Sequence, residues 1–175
     1  NETDEAKEGD KITIVLDKTV FYAESGGQIG DSGVLVNNSS TINVNDCKKS
    51  GGHFLHFGYV QSGSFHVGDK VQADIHNDRR QVITCNHSAT HLLHEALRAV
   101  LGDHVEQRGS LVDEERFRFD FSHDSAVTDD EIRQVEYIVN EEILKNKEVV
   151  TNSMSMEEAK SKGAKALFGE KYGDV

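Results

Sequence analysis

The chain has 175 residues, of which 36% are hydrophobic, and a formal net charge of −12. This length is sufficient for one large domain or two small ones. It has two cysteines, Cys47 and Cys85, and no apolar run long enough to cross a membrane. These features argue against a disulfide-rich secreted scaffold and against a membrane-spanning protein. We therefore expect a soluble protein of a reducing compartment, cytoplasmic or, as the alternative, organellar.

The first part of the chain consists of short β-rich runs separated by turn residues. Because the chain contains no proline, glycine and asparagine supply the turns. The pattern predicts strands at residues 11–16, 33–36, 41–44, 54–60 and 70–75. Short strands at this spacing are typical of a small all-β barrel or sandwich. We therefore expect a small N-terminal β-barrel over residues 1–78, with a boundary near residues 77–80.

A strong helical pattern follows, beginning near Asn86 and stopping at Gly102. Its apolar residues recur at i, i+3, i+4 and i+7. They are Ala89, Leu92, Leu93, Ala96, Leu97, Val100 and Leu101. His87 and His91 fall opposite this apolar stripe and are four residues apart, so both imidazoles lie on one face of the predicted helix.

Residues 106–112 and 116–122 predict a β-hairpin, in which alternate positions of the second strand share one face. The apolar residues on that face are Phe117, Phe119 and Phe121. Thr128 and Glu131 form a capping-box pattern ahead of a second apolar repeat, which predicts the start of another helix.

The last part of the chain predicts one more strand, at residues 148–151, and a short helix capped by Ser155 that ends near Gly163. Helices laid over an antiparallel sheet make a two-layer α/β sandwich. The predicted fold class is therefore α+β, a small β-barrel followed by a two-layer α/β core over residues 79–175.

The two histidines are candidate metal ligands, because an i, i+4 pair on a helix can offer two neutral nitrogens to one zinc ion. The pair alone is a weak signal, since exposed histidines on amphipathic helices are common. A metalloprotease is excluded, because that motif places a glutamate directly after the first histidine and this chain has Ser88. His94 could be a third ligand, although a solvated histidine is the simpler interpretation, and Arg98 argues against a closed cage of protein ligands.

Three separated segments together resemble one known family. They are the run from Asn86 to His123, the Gly-rich segment at residues 21–33, and the closing sequence LFGEKYGD at residues 167–174. In this order they resemble the editing domain of alanyl-tRNA synthetase and its stand-alone AlaX-type relatives. The histidine helix is also similar to one in the editing domain of threonyl-tRNA synthetase, but the Gly-rich segment and the QRGS sequence at residues 107–110 favour the alanyl family. The resemblance spans about residues 10–175.

The resemblance implies hydrolysis of the ester that joins a wrong amino acid to tRNA(Ala). A small apolar pocket discriminates poorly between alanine, glycine and serine, so a second, hydrolytic site is the known solution. Polar groups that bond to the hydroxyl of serine would be left unpaired by the methyl of alanine. The expected partner is the tRNA(Ala) acceptor end carrying serine or glycine; neither DNA nor a membrane is expected.

By the same resemblance, Thr90 and Gln107 are expected to act in the catalytic pocket, and His87 and His91 to hold zinc. The expected substrate-binding residues are Gly26, Gly27, Gln28 and Arg108. From the residues alone the simpler interpretations are different. Thr90 would satisfy a backbone carbonyl within its helix, Gln107 would face solvent, and the glycines would permit tight turns or a close approach of backbone to a substrate.

The metal site departs from the family pattern. The family completes it with a Cys-x-x-x-His pair downstream of the LFGEKYGD segment, and this chain ends at Val175. We therefore expect two of four zinc ligands, an incomplete site and a largely metal-free fragment, whose activity in isolation is left open. His104, His123 and Cys85 could substitute, although Cys85 more simply ends a buried strand as a small apolar residue.

The lack of an initiator methionine leads us to expect a fragment of a larger alanine–tRNA ligase, which would attach alanine to tRNA(Ala) with ATP. The alternatives are a stand-alone deacylase and a non-catalytic tRNA-binding or interaction domain. The net charge of −12 opposes an RNA-binding role, because phosphate contacts need a basic surface. Arginines around the histidine helix could still form a local basic rim. The interpretation that they are ordinary surface arginines has equal weight.

Overall fold

The computed structural model of the chain describes residues 2–163, so the predicted LFGEKYGD segment lies outside the described residues. The described residues divide into two compact units. The first comprises the residues up to His87 together with Leu111–Phe117, and the second comprises Ser88–Ser110 and the residues from Arg118 onward. This division falls inside a helix, and the predicted domain boundary at residue 78 stays a prediction.

The first unit is built on antiparallel strands. They are β1 (Glu5–Lys7), β2 (Lys11–Val15), β3 (Gly33–Asn37), β4 (Ser40–Ser50), β5 (His53–Ser62), β6 (Ser64–His66) and β7 (Gln72–Ile75). Five of them form one sheet in the order β2, β5, β4, β3, β7, and β1 pairs separately with β6. All five predicted strands are therefore confirmed, whereas β1 and β6 were not predicted because three residues are too few to show an alternating pattern.

The core of the first unit follows from this alternation, since successive side chains of a strand point to opposite faces. Along β4, for example, Ile42 and Val44 are buried while Asn45 is exposed. A bulge after Val44 then lets Cys47 also reach the interior. The buried cluster comprises Phe21, Ala23, Leu35, Ile42, Val44, Cys47, Val60 and Phe65.

The predicted barrel is not supported. β2 and β7 are the edges of the five-stranded sheet, and within residues 2–163 no ladder joins them. The sequence pattern reports the number and alternation of strands, but closure of a barrel depends on stagger and on pairing of the outermost strands, which the pattern does not encode. The coarser prediction, an α+β fold with antiparallel sheets, is confirmed.

The long helix α1 (Asn77–Leu101) begins nine residues earlier than predicted. The first turns of the helix lack a clear apolar stripe in the sequence, because Val82 is apolar but 45% exposed while the adjacent Ile83 is fully buried. Branched residues such as these also favour strands by propensity, which led us to expect Cys85 at the end of a buried strand. That prediction is wrong, because Cys85 lies exposed within α1.

The second unit combines helices with most of the predicted hairpin, whose turn at Leu111–Phe117 belongs to the first unit. The hairpin strands are β8 (Gln107–Val112) and β9 (Phe117–Phe121), and the helices are α2 (Asp129–Leu144) and α3 (Met156–Ser161), in addition to the C-terminal part of α1. The core of this unit includes Ala96, Leu97, Val105 and Val135, with Phe119 and Phe121 of the hairpin packed against it. Within residues 2–163 no helix combines the length and the apolar character needed to cross a bilayer.

The predicted strand at residues 148–151 is wrong, because those residues adopt no regular secondary structure. Val149 is 91% exposed and Val150 is 67% exposed. β-propensity measures how well a side chain fits a half-buried, pleated surface, and these two valines have no such surface to pack on.

The helix α2 begins with the predicted capping box. Thr128 Oγ1 accepts a hydrogen bond from the Glu131 backbone N–H at 3.3 Å, and Glu131 Oε2 accepts one from the Thr128 N–H at 2.8 Å. The bonds from the backbone and hydroxyl of Thr128 lower the pKa of Glu131. The predicted cap of α3 by Ser155 is confirmed in the same way.

We expect Thr128→Ala to lower the free energy of unfolding by about 1 kcal/mol, because it removes an acceptor for an otherwise unbonded helix N–H. Urea denaturation followed by circular dichroism measures this change. The matched control is Thr84→Ala, in an exposed position within α1, whose expected effect is within about 0.5 kcal/mol. A cost no larger for Thr128→Ala than for Thr84→Ala would contradict a stabilising role of the cap.

Candidate functional site

The Gly-rich segment forms a tight turn in the first unit. Gly26 and Gly27 both have positive φ, at 58° and 79°. The turn is closed by two backbone bonds between Ser25 and Gln28, at 2.9 and 3.1 Å. Two consecutive positive φ values are the requirement of a type I′ turn, which glycine meets without strain. The glycines therefore serve the turn, and a role in binding substrate stays a prediction.

The turn delivers Gln28 to a buried position, where the residue is 3% exposed. Val112 N–H donates to the carbonyl of Gly27 at 2.8 Å, and Ile29 N–H donates to the carbonyl of Val112 at 3.1 Å. The segment is thus fixed on both sides of Gln28 by backbone bonds to the end of β8.

Gln28 contacts the histidine helix directly, because its Oε1 lies 2.8 Å from Nδ1 of His87. An amide oxygen can only accept, so Nδ1 of His87 carries the hydrogen and the lone pair of the imidazole is on Nε2. A hydrogen bond to one ring nitrogen is how proteins usually fix the tautomer and orientation of a metal-binding histidine. The Gly-rich segment therefore lies against the histidine helix, and the predicted metal-binding role of His87 is compatible with this contact.

The first turns of α1 hold the same segment through a buried ion pair. Asp31 is 2% exposed and receives two contacts from Arg80 Nε, at 2.9 and 3.1 Å, as well as one from Arg80 Nη2. Tyr22 N–H also donates to this carboxylate at 2.7 Å. The bond to Asp31 raises the pKa of the Arg80 guanidinium. Sequence reasoning missed this pair, since 49 residues separate the partners.

A second arginine braces the residue next to Asp31. Arg79 Nη1 donates to the carbonyl of Gly30 at 3.0 Å, and its Nε donates to Glu114 Oε1, also at 3.0 Å. The bond from Arg79 lowers the pKa of Glu114. Together the two arginines fix the backbone that carries Gln28.

The other predicted site residues belong to the second unit. Thr90 is buried at 5% exposure, and His91 beside it is exposed. Gln107 is half-buried at the start of β8, so it does not simply face solvent. Arg108 is exposed and pairs with Glu106 at 3.1 Å. The predicted roles of these four residues in the site stay predictions.

His94 is not the solvated histidine that we expected. Its ring is half-buried, with a centroid 5.2 Å from that of Phe119 and Nε2 3.4 Å from the carbonyl of Val105. Arg98 donates to the same carbonyl at 3.1 Å and pairs with Asp103 at 2.7 Å. Both side chains therefore hold the connection between α1 and β8.

The suggested basic rim is largely neutralised by carboxylates. The paired arginines are Arg79 with Glu114, Arg80 with Asp31, Arg98 with Asp103, Arg108 with Glu106, and Arg118 with Asp120. This pairing favours the interpretation as ordinary surface and structural arginines, because paired cations contribute less to a positive field. It gives no extra support for phosphate contacts by these residues.

One group of potential metal ligands stands outside the predicted pair. Among the described residues, His104, His123 and Asp124 are the group whose ligand atoms all lie within 4.8 Å of one another. His104 and His123 are the two histidines that could substitute as ligands in the predicted zinc site. The exposed Cys85 is not a member of this group.

The chain is similar to class II tRNA synthetases in its first part and to alanine–tRNA ligases over nearly its whole length. The family model described as class II tRNA synthetases (A) matches residues 1–79. The alanine–tRNA ligase of Rhodopseudomonas palustris is 53% identical over 174 residues, covering 99% of this chain and 20% of the relative. That of Pseudomonas entomophila is 55% identical over 168 residues, covering 96% and 19%, and that of Acetivibrio thermocellus is 53% identical over 173 residues, covering 98% and 20%.

The chain therefore belongs to the alanine–tRNA ligase family, which confirms the family of the resemblance found in the sequence. It spans about a fifth of the length of the curated relatives it matches.

Proposed function

We propose that this chain is an editing module of an alanine–tRNA ligase, which hydrolyses the ester of serine or glycine attached wrongly to tRNA(Ala). In the proposed full-length enzyme, other regions attach alanine with ATP and bind most of the tRNA. The order of the three sequence segments supports an editing module. We prefer it to a stand-alone deacylase because the matched relatives are about five times longer than this chain. A cytoplasmic location is part of the same proposal.

The hydrogen bond between Gln28 and His87 is the observation that carries the proposal. It holds the imidazole in one tautomer, and such fixed imidazoles are found where a histidine binds a metal or substrate. This arrangement is why we favour an enzyme over an interaction domain.

The residues present fit a part of a zinc site. His87 has its lone pair on Nε2, and His91 lies one helical turn further along α1, so the two would supply two nitrogen ligands. The remaining ligands would come from the downstream Cys-x-x-x-His pair of the family. Bound zinc would orient the substrate and polarise its ester carbonyl or a water molecule.

Thr90 would distinguish serine from alanine. It follows His87 by three residues, so the periodicity of the helix puts the two side chains on neighbouring positions. Its buried hydroxyl can bond to the hydroxyl of a seryl group, a bond that the methyl of alanine cannot replace. We assign Gln107 to the same pocket, and Gly26, Gly27, Gln28 and Arg108 to substrate binding.

We expect Thr90→Val to reduce hydrolysis of Ser-tRNA(Ala) by roughly ten- to a hundredfold more than hydrolysis of Gly-tRNA(Ala), since a lost hydrogen bond of this kind costs about 1–3 kcal/mol. The measurement is release of labelled amino acid by a chain extended to include the Cys-x-x-x-His pair that the family resemblance implies. Thr84→Val, at an exposed position of the same helix, should leave both rates unchanged.

Equal losses on the two substrates would contradict the role of Thr90 in reading the hydroxyl. A lack of hydrolysis by the extended, folded and zinc-loaded chain would contradict the editing function as a whole.

A further inference from the structure

The second unit contains a pair of histidines that neither the family comparison nor the proposed editing site uses. His104 lies in the connection after α1, and His123 follows the end of β9. Their rings are stacked, with centroids 5.1 Å apart and planes at 20°. Nε2 of His104 and Nδ1 of His123 share a hydrogen bond at 2.9 Å, and Oδ1 of Asp124 is 3.9 Å from the same Nδ1.

The fold positions the backbone of His104 and the ring of His123 next to each other. Ser122 Oγ donates to the carbonyl of His104 at 3.1 Å and accepts from the Glu106 N–H at 3.0 Å, which ties the connection to the end of β9. The side chain of His123 is only 12% exposed, and its Nε2 lies 3.1 Å from Ser125 Oγ. In the tautomer of His123 whose Nε2–H donates to Ser125 Oγ, the lone pair lies on Nδ1, which faces His104.

The spacing of the two nitrogens selects a class of metal. If a metal lies about 2.0–2.1 Å from each of two nitrogens that are 2.9 Å apart, the angle between its two metal–nitrogen bonds is about 90°. That angle suits the square-planar, tetragonal or octahedral coordination of Cu²⁺ and Ni²⁺ better than the tetrahedral coordination of zinc. Imidazole nitrogens are also ligands that these two ions accept.

We propose that His104, His123 and Asp124 form a second metal site, which binds a divalent ion of the Ni²⁺ and Cu²⁺ class with water in the remaining positions. The ion takes the place of the hydrogen between the two rings, and His104 then carries its hydrogen on Nδ1. A bound ion would join the connection between α1 and β8 to the end of β9. It lies outside the His87 and His91 pair and does not depend on the editing function. Asp124 is 93% exposed, so its carboxylate can turn toward an ion that the two imidazoles hold.

The test is calorimetric titration of NiCl₂ into the 175-residue chain carrying His91→Gln, which weakens nickel binding by the helical pair. We expect one Ni²⁺ per chain, and a loss of affinity of at least about tenfold when His104→Gln is added. The matched control is His66→Gln, at an exposed histidine whose ring nitrogens lie 3.5 Å from Glu5 and 4.0 Å from Asp69. It should leave the affinity unchanged.

His104 is exposed, so His104→Gln should fold, and far-UV circular dichroism checks this. Electron paramagnetic resonance of the Cu²⁺-loaded chain supplies an independent readout, since the expected signal has two nitrogen ligands in the His91→Gln background and one after His104→Gln. Unchanged Ni²⁺ affinity in the His104→Gln chain would overturn the proposal. So would the absence of binding up to about 1 mM Ni²⁺, which is weaker than a three-ligand site.

Discussion

Replacing Arg80 with methionine should lower the free energy of unfolding by about 3–5 kcal/mol, because it leaves a buried carboxylate without its charged partner. Asp31 is 2% exposed, and Arg80 supplies its contacts from both Nε and Nη2. Methionine keeps much of the aliphatic stem of arginine, so the loss reports the missing charge and hydrogen bonds rather than packing. Urea denaturation measures the change.

Arg133→Met is the matched control, because Arg133 pairs with Asp130 where both side chains are more than half exposed. Exposed ion pairs contribute about 0–1 kcal/mol, so this substitution should have little effect. The double change Arg80→Met with Asp31→Asn should recover part of the loss, since it removes the uncompensated charge. If Arg80→Met costs no more than Arg133→Met, the pair does not stabilise the first unit.

The functional meaning of this ion pair follows from its position in the chain. Asp31 is three residues after Gln28, and Arg80 is seven residues before His87. The pair therefore ties the segment that carries the amide to the helix that carries the imidazole. We expect the Arg80→Met chain, under conditions where it remains folded, to lose deacylation through misplacement of Gln28.

The parts of the fold that the sequence predicted are those governed by local rules. The capping boxes at Thr128 and Ser155 depend on contacts three residues apart, and the strands of the first unit depend on simple alternation. The start of α1 and the false strand at residues 148–151 depend on what surrounds the chain. At both places branched residues suggested strands. The structure that forms there instead depends on tertiary packing, which β-propensity does not describe.

The candidate site divides in the same way. Helical spacing alone puts His87 and His91 on one face of α1, and the sequence predicted this. The stacking of His104 on His123 was not predictable, because 19 residues and a hairpin separate them. The environment of His94 was also misjudged, because its neighbour Phe119 comes from β9 and a helical projection contains only the helix.

Gly30→Ala should destabilise the first unit by at least about 2–3 kcal/mol, because there is no room for a side chain where this segment crosses β4. An added Cβ would lie 2.2 Å from the carbonyl oxygen of Cys47 and 2.7 Å from its nitrogen. Neither atom can yield easily, since the Cys47 side chain is fully buried and its carbonyl accepts a bond from Glu24 N–H at 2.8 Å. The segment itself would have to lift.

A lifted segment would also strain the contacts of its neighbours, namely the bond from Arg79 to the Gly30 carbonyl and the placement of Gln28 beside His87. We therefore expect Gly30→Ala to reduce both stability and deacylation, measured by urea denaturation and by release of serine from Ser-tRNA(Ala). Gly109→Ala is the control: its nearest neighbour is the carboxylate of Asp120 at 2.7 Å, which can rotate away, so the expected cost is under about 1 kcal/mol. Equal costs for the two substitutions would show that the segment is not held against β4 as tightly as these distances require.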